Sequence, residues 1–299
     1  MSFKYTSKVL AFGAIILGAS ICTFAILLTL TGLASAAPTK LDAGGIAQQP
    51  NLPVPDVSQI PNNQGSSDEN RDPWLGGDFE LGILGGGATS IYRDGKNARA
   101  FVLPVISYDA ERLHIGLDEL RVTAWKNDKF SISAIGSLRT KPFEAGDGPY
   151  LAGMKDRDTA FEAGLSFTAM TGPGEIQVSS LFDVSSVHHG QQVDVSYQQS
   201  TEIGAVNVAW GGGLTWQSED LTDYMVGVRR NEVRSDRKFY APDAAFIPHL
   251  DVVVSYPLYE RVTLVGNAGV QYLPAAYHDS PIVDKDYLVS FAVGALYAF

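Results

Sequence analysis

Apolar and polar residues alternate along most of the chain after residue 77, most clearly in the last thirteen residues, YLVSFAVGALYAF. Successive side chains of a β-strand point to opposite sides, so a period of two separates two faces. One face is apolar throughout, with Tyr287, Val289, Phe291, Val293, Ala295, Tyr297 and Phe299, and the other carries mostly small residues. The segment therefore predicts a strand with one face in an apolar environment.

The same period predicts twelve strands, with ten as the alternative. Their approximate bounds are Asp78–Ala88, Arg99–Tyr108, Arg112–Asp118, Leu120–Lys126, Lys129–Thr140, Thr159–Met170, Glu175–Ser185, Gln191–Ser200, Ala205–Gln217, Phe246–Tyr256, Arg261–Leu273 and Asp286–Phe299. The third and fourth strands are joined only by Glu119 and would leave eleven strands if they merged.

The connections distinguish a membrane barrel from a soluble sandwich or barrel, which shows the same alternation with its apolar face turned inward. Short connections alternate with long ones, and twelve strands put all the long ones on one side, as in outer-membrane barrels. The long ones are Thr89–Ala98, Lys141–Asp158, Ser218–Ala245 and Pro274–Lys285. The predicted fold is all-β, a transmembrane antiparallel β-barrel of about twelve strands with apolar residues facing lipid and polar residues facing the lumen.

The N-terminal segment has the parts of a secretory signal peptide. Lys4 and Lys8 precede an apolar run, which ends before Ala34-Ser35-Ala36. Residues 1–36 are therefore predicted to be removed after Ala36. A retained membrane anchor is the alternative, because the run is long enough to span a bilayer. Residues 37–74 are rich in Pro, Gln and Asn without an apolar period, which predicts a disordered periplasmic tail before a barrel of residues 75–299.

Charge and cysteine content exclude several kinds of chemistry. The formal net charge of −11 disfavours a nucleic-acid partner. Cys22 is the single cysteine and lies in the predicted signal peptide, so the mature chain is predicted to have no disulfide and no cysteine nucleophile or ligand. No cofactor or metal is predicted, since His188-His189 lack spaced carboxylate partners.

Two short segments carry a resemblance to a known family. They are Asp223-Tyr224 in the longest loop and Asp279-Ser280-Pro281-Ile282-Val283 before the last strand. They resemble the MipA/OmpV family of outer-membrane proteins, over approximately residues 77–299. The resemblance implies a barrel in the outer membrane of a Gram-negative envelope. It also implies a scaffold for a lytic transglycosylase and a penicillin-binding protein in murein synthesis, or a surface adhesin or antigen.

Candidate functional residues lie in the lumen, in a loop and at the C-terminus. His249 and Asp251 are two apart on a strand and are predicted to face the lumen together, where catalysis with a serine such as Ser255 is the less favoured reading. Arg229, Arg230, Arg234 and Arg237 predict either a site for anionic lipopolysaccharide or a small solute, or a solvated loop of opposed charges. Tyr297 and Phe299 are predicted to be the signal read by the barrel-assembly machinery.

These patterns predict a non-enzymatic protein of the outer membrane, in contact with lipid and with the barrel-assembly machinery. The leading hypothesis is an envelope scaffold that presents turns and a tail to murein enzymes. The alternative is a narrow channel or small-solute-binding barrel, because twelve strands leave room for a lumen.

Overall fold

The structure is a computed structural model that describes residues 71–94, 98–117 and 119–299, apart from the side chains of residues 98 and 99. The predicted signal peptide, and the predicted tail as far as residue 70, lie outside the described residues. Twelve antiparallel strands close into one barrel, in which consecutive strands pair and the first strand pairs with the last. The predicted all-β barrel and its strand number are confirmed.

The strands are β1 (Asp78–Thr89), β2 (Ala98–Asp109), β3 (Leu113–Ile115), β4 (Leu120–Lys126), β5 (Phe130–Arg139), β6 (Ala160–Met170), β7 (Gly174–Asp183), β8 (Gln191–Ile203), β9 (Val206–Gln217), β10 (Ala245–Tyr259), β11 (Val262–Tyr272) and β12 (Tyr287–Ala298). Within the described residues, the loops contain α1 (Glu219–Val226), α2 (Ala275–His278) and two 3-10 turns, Ala145–Asp147 and Arg230–Glu232. None of the helices in this part of the chain is long and apolar enough to cross a membrane.

Several strand bounds differ from the predicted ones; β10, for example, ends at Tyr259 rather than Tyr256. β3 is only three residues long, but it pairs separately with β2 and β4, so the two strands do not merge. β8 runs past its predicted end at Ser200, and Ile203 pairs with Val206. The turn there is tight because Gly204 adopts φ +65°, a left-handed conformation that glycine takes without strain. Residues 201–203 are therefore strand, and the predicted end of β8 at Ser200 is three residues too early.

The two faces of the strands meet different environments. Outward-facing apolar side chains are widely exposed, as Leu165 (62%) and Phe291 (53%) show. On the same β12, the inward-facing Leu288, Ala292 and Leu296 are buried. The exposed apolar band fits lipid contact, which confirms the predicted assignment of the faces.

The two ends of the barrel are unequal. Connections 110–112, 127–129, 171–173, 204–205 and 260–261 lie at one end, here called the turn end. The long connections 140–159, 218–244 and 273–286 lie at the opposite end, here called the loop end. In barrels of this kind, long loops are extracellular and short turns periplasmic. The predicted placement of the long loops on one side is therefore confirmed.

Candidate functional site

Four segments of the loop end fold together over the mouth of the barrel. We call them the cap: residues 90–94, 140–159, 218–244 and 273–286. Their apolar side chains form one buried cluster with the strand ends beneath. The cluster contains Ile91, Tyr92, Phe143, Leu151, Met154, Leu221, Tyr224, Met225, Val226, Val228, Ala245, Ile247, Leu273, Tyr277, Ile282, Val283 and Leu288. The loops are thus a packed lid rather than free extensions into solvent.

Residues 279–283, which carry part of the family resemblance, link the loops of this cap. The Ser280 hydroxyl donates to the Val226 carbonyl oxygen at 2.6 Å. Ile282 and Val283 are buried, and Val283 forms an antiparallel bridge with Tyr92. Asp279 instead lies at the surface, with its Oδ1 3.0 Å from His278 Nδ1, and Pro281 is half-buried. The segment therefore ties the loop before β12 to the loops after β1 and β9.

Asp223 and Tyr224 belong to α1, whose first turn is capped by Ser218. The Tyr224 hydroxyl donates to the Asp158 carbonyl oxygen, and its ring lies 5.1 Å from that of His188. Burial raises the pKa of Tyr224, so the hydroxyl remains a donor. Burial also raises the pKa of Asp223, although Arg157 and Arg229 oppose it. Tyr224 thus joins α1 to the end of the loop 140–159.

The four loop arginines have different roles. Arg237 is buried and donates to the carbonyl oxygens of Glu232, Tyr150 and Ala152. Arg234 donates to the Pro149 carbonyl oxygen and pairs with Asp236. The exposed Arg230 lies 4.6 Å from the ring centre of Phe239, and the Arg229 backbone N–H donates to Glu232. Arg234 and Arg237 thus fasten one loop to another, Arg230 is exposed, and Arg229 is partly buried.

Arg157 and Glu232 form a buried ion pair that joins the same two loops. Their charged atoms are 3.3 Å apart and both side chains are almost fully buried. Burial works to raise the pKa of Glu232, but the backbone N–H groups of Arg229 and Lys155 and the Arg157 guanidinium lower it below its ordinary value. A carboxyl with a lowered folded-state pKa stabilises the fold above its unfolded-state pKa, about 4.3, and the effect disappears as pH falls through the folded-state pKa.

We expect the cap to loosen below about pH 4 as Glu232 takes up a proton. Near-UV circular dichroism of the cap tyrosines should report the loss. Glu232→Gln should remove this component of the pH dependence, because its amide does not titrate. That variant keeps Asp223, whose raised pKa changes stability with pH in the opposite direction, so the difference between the two profiles reports Glu232 alone. A Glu232→Gln profile identical to that of the unaltered protein would contradict the assignment.

A second buried ion pair lies on the lumen wall just beneath the cap. Arg139 on β5 donates to both carboxylate oxygens of Glu162 on β6, at 2.8 and 2.9 Å, and to Gln192 at 3.0 Å. His188 Nε2 lies 3.1 Å from the same carboxylate. The Gly190 backbone N–H donates to His188 Nδ1, so a neutral ring carries its proton on Nε2, toward Glu162. The network satisfies the charge of Glu162 away from water.

Lower in the lumen, His249 lies between two carboxylates. Its Nδ1 is 3.1 Å from Asp251 Oδ2, and its Nε2 is 2.9 Å from Asp194 Oδ2. Thr215 donates to Asp194 at 2.7 Å. The predicted pairing of His249 with Asp251 in the lumen is confirmed, whereas Asp194 was missed because it lies on β8, two strands away. The His249 ring lies over Gly213 on β9. The Cβ of any other residue at position 213 would lie 2.7 Å from His249 Nε2.

This arrangement leaves His249 no free nitrogen with which to deprotonate a serine. Both ring nitrogens face carboxylate oxygens, so neither is positioned to accept a proton from a serine hydroxyl as a general base would. Ser255, the serine considered with it, is buried further along β10. In the described part of the chain, no group of three or more His, Cys, Asp or Glu residues is arranged to hold a metal ion.

The C-terminus completes the seam between the first and last strands. Phe299 lies outside β12, and its backbone N–H donates to the Phe79 carbonyl oxygen at 3.1 Å. Its ring packs 5.0 Å from Tyr297 and 5.5 Å from Phe79, and it remains 61% exposed. Tyr297 and Phe299 are thus accessible on the outside of the barrel at the turn end, and their role as the assembly signal stays a prediction.

Comparison with known proteins gives the family. A family model described as MltA-interacting protein MipA matches residues 81–299. The chain is 29% identical to the MltA-interacting protein of Escherichia coli K12, covering 75% of this chain and 91% of that protein. It is 27% identical to the E. coli K12 outer membrane protein YiaT, covering 74% and 91%, and 26% identical to Vibrio cholerae OmpV, covering 49% and 56%. The chain is a β-barrel protein of the outer membrane and belongs to the MltA-interacting protein MipA family.

Proposed function

We propose that the protein is a non-enzymatic scaffold that holds murein-cleaving and murein-synthesising enzymes against the inner face of the outer membrane. The observation that supports this most is the cap, because packed loops over the mouth oppose a free path through the barrel. The turn end and the segment 37–74 are then the surfaces offered to the periplasm. Similarity to a protein named MltA-interacting protein supports a lytic transglycosylase as one partner, with a penicillin-binding protein as the second.

The absence of catalysis is part of the same proposal. It is supported by the lumen histidine, whose two nitrogens are both occupied by carboxylates. The alternative is a narrow channel, which the partly exposed polar side chains of the lumen favour and the cap opposes. A steady ionic conductance of the intact protein in planar bilayers would favour the channel.

Crosslinking in intact envelopes tests the scaffold. Tagged protein should recover a lytic transglycosylase and a penicillin-binding protein, identified by mass spectrometry. Deleting residues 37–74 should reduce recovery if the tail recruits them, and a version with the same tail residues in scrambled order is the matched control. Recovery that survives the deletion would assign recruitment to the turn end. Recovery of neither enzyme class from any version would refute the scaffold.

A further inference from the structure

The lumen beneath the cap has two unlike walls. On one side Leu84, Val105, Val265 and Leu296 form a buried apolar cluster. Next to it Leu103 pairs with Leu84, and the ring of Phe101 lies across Gly86; both side chains are partly exposed. On the other side, the inward residues of β7 to β10 are polar and partly exposed. They include Gln177, Asp194, Ser196, Thr215, His249 and Asp251.

The partly exposed inward side chains show that the lumen is not filled. Side chains just fill an eight-stranded barrel, and twelve strands enclose a wider interior. The side chain of Asp251 is 34% exposed, and those of Asp194 and His249 are 18% and 17% exposed. Gly211 faces the same space and adds no side chain to it, while the His249 ring occupies the room above Gly213. The polar wall therefore borders an accessible chamber.

The polar wall is negatively charged whatever the state of its histidine. With both aspartates ionised, the Asp194–His249–Asp251 cluster has a net charge of −1 if the ring is protonated and −2 if it is neutral. Arg139, on the same inner surface, is bonded to Glu162 and Gln192 and does not compensate the cluster. Carboxylates accept hydrogen bonds and cannot donate them, so this wall favours a cationic donor.

Access to the chamber is from the turn end. At the loop end, the packed cap and the bond from the Tyr277 hydroxyl to Gln217 close the mouth above the cluster. Toward the turn end, the inward residues of β8 are partly exposed from Asp194 to Gln198 and exposed at Ser200 and Glu202, whereas the inward Ala209 on β9 and Ser255 on β10 are buried. The path left for a solute therefore runs along β8 from the turn end, which faces the periplasm.

We propose that the lumen is a binding site, open to the periplasm, for a small organic cation with an apolar body. Its ammonium group hydrogen-bonds to Asp251 and Asp194, and its apolar body lies against Phe101 and Leu103. The site is independent of the scaffold: it uses the inner wall of the barrel, whereas the scaffold uses the turns and the tail.

Four matched probes test the chemistry on the mature protein in nanodiscs by isothermal titration calorimetry, with empty nanodiscs subtracted. They are 2-phenylethylammonium, neutral 2-phenylethanol, anionic phenylacetate and ethylammonium, which lacks the ring. The first should bind saturably at one site, at least about tenfold tighter than the other three, since hydrogen bonds to charged groups contribute most. Equal binding of phenylacetate or 2-phenylethanol, or no saturable binding of any amine, would overturn the site.

Two variants locate the contact. Asp251→Asn should weaken 2-phenylethylammonium binding about tenfold, because it removes the charge while keeping the shape. Asp243→Asn removes the same charge from an exposed position of the cap and should leave binding unchanged. Heat-modifiable migration in detergent gels confirms that each variant is folded. Unaltered affinity in folded Asp251→Asn would refute the assignment, and the probe comparison on the unaltered protein decides the question if that variant fails to fold.

Discussion

Arg139→Met is expected to lower the free energy of unfolding by about 3–5 kcal/mol, because it removes one partner of a buried ion pair. Glu162 is 1% exposed, and Arg139 donates to both of its oxygens. Without the guanidinium, a carboxylate would remain in the closed upper lumen with only His188 beside it. The midpoint and slope of urea unfolding in phospholipid vesicles, followed by tryptophan fluorescence, would measure the loss.

The double variant Arg139→Met/Glu162→Leu distinguishes the cost of an unpaired Glu162 carboxylate from the cost of the lost Arg139 contacts. A buried pair replaced by apolar residues of similar volume is often neutral in stability, so the double variant should recover most of the loss. Lys126→Met, which removes an exposed cation at the end of β4, should change stability little. If the double variant were as unstable as the single one, packing rather than the uncompensated charge would be the cause.

The strands were predictable because a membrane barrel imposes the same two-residue period on every strand. Each strand repeats the contrast between lipid and lumen, so the pattern persists even in a segment as short as β3. The turn at Gly204 was predicted at the right place, but β8 was predicted to end three residues too early. Polar residues such as Glu202 resemble turn residues in sequence, although hydrogen bonding to β9 continues through them.

The cap was not predictable from local sequence because its contacts join distant parts of the chain. The Tyr92 hydroxyl donates to the Met225 carbonyl oxygen, 133 residues away. Phe143, Leu151 and Met154 are separated by Gly, Pro and acidic residues, so they resembled isolated apolar residues in a polar loop. Resemblance identified the segment 279–283, but not that Ser280 latches it to α1.

Only part of the His249 site in the lumen was predictable from the sequence. His249 and Asp251 share a face because they are two apart on one strand, which the period shows directly. Asp194 joins them through the register of β8, β9 and β10, in which His249 stands opposite Gly213 and Asp194 opposite Thr215. Register depends on pairing between strands and is not encoded in the period of any one of them. Gly213 was the available signal, since a glycine facing the lumen leaves room for a neighbour's side chain.

Ile282→Asp is expected to open the barrel to ions. Ile282 has 0% exposure in the centre of the cap, and an unpaired charge there carries a desolvation penalty that cap packing cannot offset. The unaltered protein should show no steady conductance in planar bilayers, and the variant should show a stable pore. Val233→Asp places the same charge at a cap position that is 47% exposed, so it should remain closed.

Comparing the conductance of Ile282→Asp with that of the unaltered protein also shows where along the barrel axis the lumen is closed. If Ile282→Asp conducts, the cap is the barrier, and the chamber beside Asp251 is continuous with the outside once the cap is displaced. If the cap of the variant becomes sensitive to protease while conductance stays absent, the barrier lies lower, at the level of the Arg139–Glu162 pair. A cation entering from the periplasm would then reach a chamber with a closed upper end, which favours binding over transport. Conductance of the unaltered protein would instead mean that the packed loops do not seal the mouth, and would favour the channel over the scaffold.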